Sequence, residues 1–536
     1  MEEVAISLSG GGFRAAMFHL GTLSYLNHLK LSNDHSFLNI VNTISTISGG
    51  SITGLWYMMN ICKGIDSETS FRELYRLLTT VDFPKDVWKS LMSKGNDNSS
   101  LIKEAVKFYD EKFFHGQTFG IIMEEADKGH IHHFSANGTD FNNGLAFRFQ
   151  ASKAIINTLQ QFRYGFIGNK RFNIDREDAA KVKLSEILAV SSCFPGGFEP
   201  ILFPNDFSFF QRDGSCLQKY KNVCIPLMDG GIVDNQGIEP IFLASTQMTY
   251  DNPNAKNGDT KYPSHDLIIV SDVSSVKSKT IGNAKWKFSK RISDLNYKKV
   301  NNGLIVFTII FILLLAVGIV KHIPFISGFA SALLLIALFC LVLSKSIKSK
   351  ISKVLLHTGL HCDWNLLKYL ELGKINDLIT SRISSLLHLA SFVFMKPIRQ
   401  MRYKQLYDNS QWKNRLVSNI ITELSSDGSW RRKLETKKIP KYLSPSKAII
   451  DNTDKANNME TTLWFTDSDI KDGMPKTLLA CGQYTICWNL LEYIEKLKTN
   501  MDNTTPTHRL IMQCEVQLRQ DWEYFKSNPF FLSYQQ

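Results

Sequence analysis

At 536 residues the chain is too long for one compact core, so two or more structural units are expected. Its composition, 44% apolar and 21% charged, is that of a globular chain and excludes a disordered one. Lys and Arg total 62 against 50 acidic residues, a net charge of +12 whose meaning depends on where the excess sits. The opening residues, MEEVAISLSGGG, are acidic and lack a basic stretch leading into an apolar one, so no signal peptide is expected. VAISL, residues 4–8, reads as a buried strand running into the turn SGGG. FRAAMFHLGTLSYLNHL then places apolar residues at helical spacing. FLNIVNTIST reads as a second strand, followed by a turn around Ser48 and a helix over SITGLWYMMNICKG. Two strand–turn–helix units in succession predict an α/β sheet with sites at the carboxyl ends of its strands.

Residues 83–129 are mostly helical and polar in pattern. IHHFSANGTDFNNGLAFRF, Ile131 to Phe149, predicts a strand pair around an NG turn. HDLIIVSDVSS, from His265, predicts a further buried strand. The composition then changes. Gly303 to Val320 is 18 uncharged residues, Lys321 and His322 interrupt, and Pro324 to Leu343 adds 20 more. Each stretch, as a helix, is roughly 27–30 Å long, about one hydrocarbon core. Lys277, Lys279, Lys285, Lys287, Lys290, Arg291, Lys298 and Lys299 precede the pair, and Lys345, Lys348, Lys350 and Lys353 follow it, with Asp294 the one acid in these flanks. Positive charge on both outer sides predicts a transmembrane hairpin, spans about 303–320 and 324–343, with both ends cytoplasmic. The alternative is an apolar helical pair buried in a core or an oligomer interface. The basic flanks suit an anionic membrane surface, and no alternation of aromatic and basic residues points to nucleic acid.

Beyond the hairpin, Val354 to Asp408 has a helical pattern ending in KPIRQMRYKQLY, which reads as a solvated basic face. Ser444 to Glu460 is polar and reads as a loop, and TLLACGQYTICWNLLEYIEKL reads as one apolar helix packed on the body. The expected organisation is a catalytic domain over 1–275, a basic-flanked hairpin over 276–353 and a helical region over 354–536 that completes or covers the first. The nine cysteines are scattered, odd in number and without a C-x-x-C pair, which favours free thiols over a disulfide framework.

Three places could carry chemistry. Gly10, Gly11 and Gly12, followed by Phe13 and Arg14, come directly after a strand and open a helix. Successive glycines can turn backbone N–H groups toward one point, and the helix N-terminus adds positive potential, so the turn suits a phosphate or an oxyanion. It is not a phosphate-binding P-loop, since no G-K-[ST] follows, and a GGG run is often only a tight turn. Ser48 lies at a strand-to-helix turn where Gly49 and Gly50 give the small neighbours a nucleophile elbow needs, while Thr46 stands where G-x-S-x-G has its first glycine. Asp229, in PLMDGGIVDNQGIEP, is followed by Gly230 and Gly231; it is either a base for a nearby hydroxyl or part of an ordinary turn, with Asp234 and Asn235 fixing the next loop. His130, His132 and His133 form an H-x-H-H group with no carboxylate or thiol at ligand spacing. His265 follows Asp229 and would complete a Ser–Asp–His order.

Taken in order, GGGFR after a strand, ISGGS between strand and helix, and MDGG far downstream resemble the patatin-like phospholipase family, as does AVSSCFPGGFEPILF ahead of the aspartate. The resemblance covers about Val4 to Ser275 and leaves the hairpin outside. It implies a three-layer α/β sandwich around a central, mostly parallel sheet. It also implies a lipid acyl hydrolase with Ser48 as nucleophile and Asp229 as its partner in a dyad without histidine. Gly10, Gly11 and Gly12 would form the oxyanion hole, supported by Arg14, Gly49, Gly50, Gly230 and Gly231. No metal or organic cofactor is implied; the partners would be a membrane phospholipid and the bilayer, with homo-oligomerisation open and no nucleic acid. Such proteins include bacterial lipases and effectors that degrade membranes in antiviral defence. Acyl transfer, thioester or neutral-lipid hydrolysis by the same dyad, or an oligomeric membrane-disrupting role, are the alternatives.

Overall fold

The computed structural model describes residues 3–32, 35–92, 100–153, 167–195, 197–212, 218–251, 265–273, 293–357, 369, 371, 373–374, 385, 389, 395–409, 412, 414–499 and 505–533. The chain divides into two compact units, Met1–Ser278 together with Ala390–Gln536, and Lys279–Leu389.

The larger unit is organised by a ten-stranded sheet: β1 (Val4–Leu8), β2 (Val41–Ile47), β3 (His133–Asp140), β4 (Leu145–Ser152), β5 (Ile167–Gly168), β6 (Asn173–Ile174), β7 (Ile201–Phe203), β8 (Ile225–Asp229), β9 (Leu267–Asp272) and β10 (Leu416–Ile420). The helices that matter below are α1 (Gly12–His28), α2 (Gly49–Cys62), α3 (Leu184–Ser191), α4 (Gly231–Asp234), α5 (Ile238–Asp251), α6 (Tyr297–Val320), α7 (Pro324–His357), α8 (Met395–Asp408), α9 (Lys447–Asn458) and α10 (Met474–Thr499). The strand order is β10-β9-β1-β2-β3-β4-β5-β6. The first five of these run parallel, and β4, β5, β6 and β8 add antiparallel pairs. All five residues of β1 are buried, as a central parallel strand covered on both faces requires. Val4, Ile6 and Leu8 belong to a core shared with α1, α2 and α10, whereas Ala5 points into a second core with Ile238, Ile241, Ile268 and Leu406. Helices on both faces of a mostly parallel sheet give the three-layer α/β architecture.

Register then decides what the carboxyl edge presents. Leu8 pairs with Thr46 and with Ser271, and Ile47 pairs with Asn137, so the turns after β1 and β2 emerge side by side. Strand β8 runs antiparallel against the end of β3 and puts Asp229 opposite Gly138, one residue past Asn137. The ladder therefore carries Asp229 to the level of the residue after Ile47, which is Ser48.

Two local expectations fail for identifiable reasons. FLNI is a 3-10 turn whose N-cap, Ser36, receives the Asn39 side chain on its N–H, so β2 starts only at Val41. Residues expected as a loop form α9, because polarity there serves tertiary contacts. The Ser446 side chain caps Ile449, Asn452 donates to the Thr477 carbonyl and the Tyr484 hydroxyl, and Thr453 joins the same hydroxyl.

The smaller unit contains the apolar pair as α6 and α7, both long and apolar enough to cross a membrane. Asn296 caps α6 at the Lys299 N–H. At the connection His322 has φ 52, and the Ile323 N–H reaches back to the Gly318 carbonyl. A side chain on Gly318 would lie 2.8 Å from the Ser327 nitrogen, so the two helices meet there backbone to backbone. Ala330 and Ala337 are buried between them, while Phe307, Leu313, Phe325, Leu335 and Phe339 are exposed. Helix α7 has 34 residues and, at roughly 51 Å, overshoots a hydrocarbon core of about 30 Å. The basic flank at 277–291 and most of the helical pattern expected over 358–394 lie outside the described residues.

Candidate active site

Ser48 ends β2 with φ 49 and ψ −119, a conformation that a non-glycine residue adopts only where its surroundings hold it. A chain of hydrogen bonds holds it. Its N–H donates to Ser191 Oγ (2.9 Å), at the end of α3, and Ser191 donates its own proton to the Asn137 carbonyl (2.8 Å). With that proton engaged, Ser51 Oγ must be the donor in its 2.8 Å bond to Ser191. Thr46 Oγ1 then closes the chain through Ser51 (2.9 Å) and the Ser135 carbonyl (3.2 Å). Thr46, the departure from G-x-S-x-G, is thus fully buried and turned toward α2, where its methyl faces Gly54. It braces the elbow from behind.

Asp229 is equally fixed. Its N–H donates to the Cys193 carbonyl (2.9 Å) and its C=O accepts from Thr139 Oγ1 (2.8 Å). The carboxylate accepts the Gly231 N–H (2.7 Å) and lies beside the Ser48 hydroxyl, which acts on its titration. Only 5% of Asp229 and 6% of Ser48 is exposed. Burial pushes the carboxyl up from its ordinary 3.8 to about 6, against the opposing pull of the Gly231 N–H and the Ser48 hydroxyl. Apolar surroundings come partly from Tyr109, whose phenol is itself pushed up to about 12 by burial. Tyr109 belongs to a ring cluster with Phe83, Phe108, Phe198 and Trp464.

The glycine turn lies against this pair. A side chain on Gly10 would fall 3.2 Å from Ser48 Cβ, and one on Gly49 would fall 2.0 Å from the Gly12 oxygen. Gly11 and Gly12 have φ +151 and +63, which lets the chain fold tightly over the elbow. The expectation of three oxyanion donors needs correction for Gly10, because its N–H already donates to the Asn235 carbonyl (3.0 Å). The N–H groups of Gly11 and Gly12 have no partner among the described residues. Gly50 packs on the Leu8 carbonyl and Gly230 on the Asn137 carbonyl, so both permit close approach of backbones. Arg14 points away into the protein: it is 2% exposed, donates to the Asn457 carbonyl (3.3 Å), and burial lowers it to about 10. It ties α1 to the end of α9.

Among the described residues no histidine is hydrogen-bonded to Ser48 or Asp229. His265 sits at the opposite end of the sheet, just before the residue that pairs with Val4, bonded to Thr43 and pushed down to about 3 by burial. His19 is buried between Ser271 Oγ and the Ser9 carbonyl. His130 approaches Glu125 (3.6 Å), yet the described residues contain no group of three or more side chains able to hold a metal. Sequence reasoning missed Ser191, and it gave Asn235 only the fixing of the next loop, not its hold on the Gly10 N–H. The first lies inside the quoted AVSSCFPGG block, but its role depends on a contact that no local pattern reveals.

No curated protein matches the chain. Residues 6–242, which hold the glycine turn, Ser48 and Asp229, match the family described as Patatin-like phospholipase. The chain thus carries a patatin-like phospholipase domain over residues 6–242, and that domain marks it as a lipid acyl hydrolase.

Proposed function

We propose that the chain is a membrane-anchored, phospholipase A-type hydrolase in which Ser48 and Asp229 act as a catalytic dyad on glycerophospholipid esters at the cytoplasmic leaflet. The observation that carries this reading is a buried carboxyl, held at about 6, that lies beside the Ser48 hydroxyl. An aspartate near its ordinary value is a weak base; one near 6 is still mostly ionised at pH 7 yet takes a proton far less reluctantly.

Asp229 accepts the proton as Ser48 Oγ bonds to the ester carbonyl carbon, and the carbonyl oxygen becomes an oxyanion facing the Gly11 and Gly12 N–H groups. Removing one such donor typically raises the barrier by about 2.7–4 kcal/mol. Collapse breaks the ester C–O bond, and Asp229 returns the proton to the departing lysophospholipid oxygen. Water then attacks the acyl-serine, giving one proton to Asp229, which passes it to Ser48 as the fatty acid leaves. The exposed apolar faces of α6 and α7 support anchoring, and basic residues on both outer sides favour a cytoplasmic catalytic unit. Tethering beside the substrate raises its effective concentration, and it directs hydrolysis at the membrane that holds the enzyme, as a membrane-degrading defence effector requires.

Lipid extracts from cells expressing the full chain provide the test. Ser48→Ala and Asp229→Asn should each abolish fatty-acid release, by at least about a thousandfold, while His265→Ala retains it. Full release by either of the first two variants would refute the dyad. Liposome permeabilisation that survives Ser48→Ala would instead favour the membrane-disrupting alternative.

A further inference from the structure

Helix α8 lies outside the matched segment, in the basic stretch whose sequence suggests a solvated face. One side of it is docked instead. Leu406 is buried with Ile238, Ile241 and Ile268; the Tyr403 hydroxyl donates to Asp272 Oδ2 (3.2 Å); and Arg402 Nη2 donates to Glu239 Oε2 (2.7 Å). Arg399 is one turn earlier on the same side. It faces the side chain of Asn235, whose carbonyl holds the Gly10 N–H. Two guanidinium N–H groups converge on one end of that amide, so this end is the oxygen; it accepts from Nε at 3.0 Å and also from Nη2. The other end of the amide lies 2.6 Å from where a Gly10 side chain would begin, and Ser48 Cβ is 3.2 Å from the same point. One amide therefore separates the guanidinium from the elbow.

Arg402 has Glu239, but Arg399 forms no ion pair among the described residues. Its field reaches Arg14 and contributes to lowering that group. A half-buried cation beside a second cation and a helix N-terminus is unfavourable until an anion arrives. In a glycerophospholipid the phosphate is carried on a glycerol carbon next to an esterified one, so an ester held at Ser48 brings an anion close by.

Building on the Ser48 reading, we propose that Arg399 binds the substrate's phosphate and sets a preference for phosphodiester-bearing lipids over neutral glycerides. The planar guanidinium can offer two parallel N–H groups to phosphate oxygens while Asn235 keeps it oriented. A helix from beyond the hairpin thereby supplies specificity to a reaction centre built before it.

The test compares two substrates with the same acyl chains, phosphatidylcholine and diacylglycerol, in mixed micelles with the full chain. Arg399→Ala should lower kcat/KM for phosphatidylcholine roughly 10- to 100-fold, mainly through KM, and change diacylglycerol hydrolysis by less than about twofold. Arg399→Lys should restore part of the phosphatidylcholine rate. Arg399→Gln keeps a donor to Asn235 and should give the same split if the alanine variant loosens α8. An equal fall on both substrates, or none on either, would overturn the assignment and leave the Ser48 reading intact. Absence of any Ser48-dependent release from either substrate by the unmodified chain would overturn both.

Discussion

The turns that follow β1 and β2 are nearly the same object put to opposite uses. Both leave adjacent parallel strands at one level, Leu8 beside Thr46, and both enter a long helix. Both contain residues with positive φ, and they touch where Gly49 meets Gly12. In the first, the residues with positive φ are glycines, and what faces the site is backbone N–H. In the second, the residue with positive φ is a serine, and what faces the site is a hydroxyl. On the proposed reading, a single scaffold yields an anion-stabilising surface or a nucleophile, according to which residue carries the unusual backbone angle.

The largest effect is expected where the turns press together. Gly12→Ala would place a Cβ 1.9 Å from the Thr462 carbonyl oxygen at φ +63, and Gly49→Ala would drive one to 2.0 Å from Gly12. Either should destabilise the protein by about 3 kcal/mol or more, read as a large fall in Tm; an unchanged Tm for Gly49→Ala would break the view that the turns are in contact. Asp229→Asn separates stability from chemistry. The folded carboxyl binds its proton more tightly than an ordinary one, so stability declines as pH rises from 3.8 through about 6. Removing the charge should therefore raise stability at pH 7 by about 1–3 kcal/mol, read as a higher Tm, while activity is lost. In the unmodified enzyme the same group predicts that kcat/KM falls about tenfold per pH unit below about 6, as the base is protonated. A flat acid limb would remove Asp229 from that role.

Ser191→Ala tests the brace behind the elbow. It leaves the Ser48 N–H and the Asn137 carbonyl unpaired, with an expected cost of about 1–3 kcal/mol and a fall in kcat of roughly tenfold, KM little changed. Thr46→Val should do least, losing about 1 kcal/mol with kcat within about threefold, since the methyl packing on Gly54 is kept. A rate as low as that of Ser191→Ala would show that the hydroxyl chain acts as one unit.

Much of this site could be read from the chain because its parts are local. VAISL, TIS and LMDGG each combine a buried strand with a turn whose shape is written in neighbouring residues. What stayed hidden depends on partners distant in sequence. Ser191 is an unremarkable serine until Ser48 donates to it. The polarity of α9 looks like a loop until Tyr484 is found between Asn452 and Thr453. LVSNI has too few residues to announce β10, and it is a strand because β9 offers an open edge. The basic run over α8 hides an inward face, since Leu406 and Tyr403 are spaced among charges that do face solvent.

That pairing of β9 with β10 also orders events in time. Asp272 and Ile420 lie side by side in the sheet, yet the entire apolar hairpin is synthesised between them. The edge strand, α8 and the helix that packs on α1 all emerge from the ribosome after α6 and α7. A chain interrupted before that point contains Ser48 and Asp229 but lacks a finished sheet and core to hold them. Biosynthesis itself therefore delays completion of the sheet until the apolar hairpin has been made.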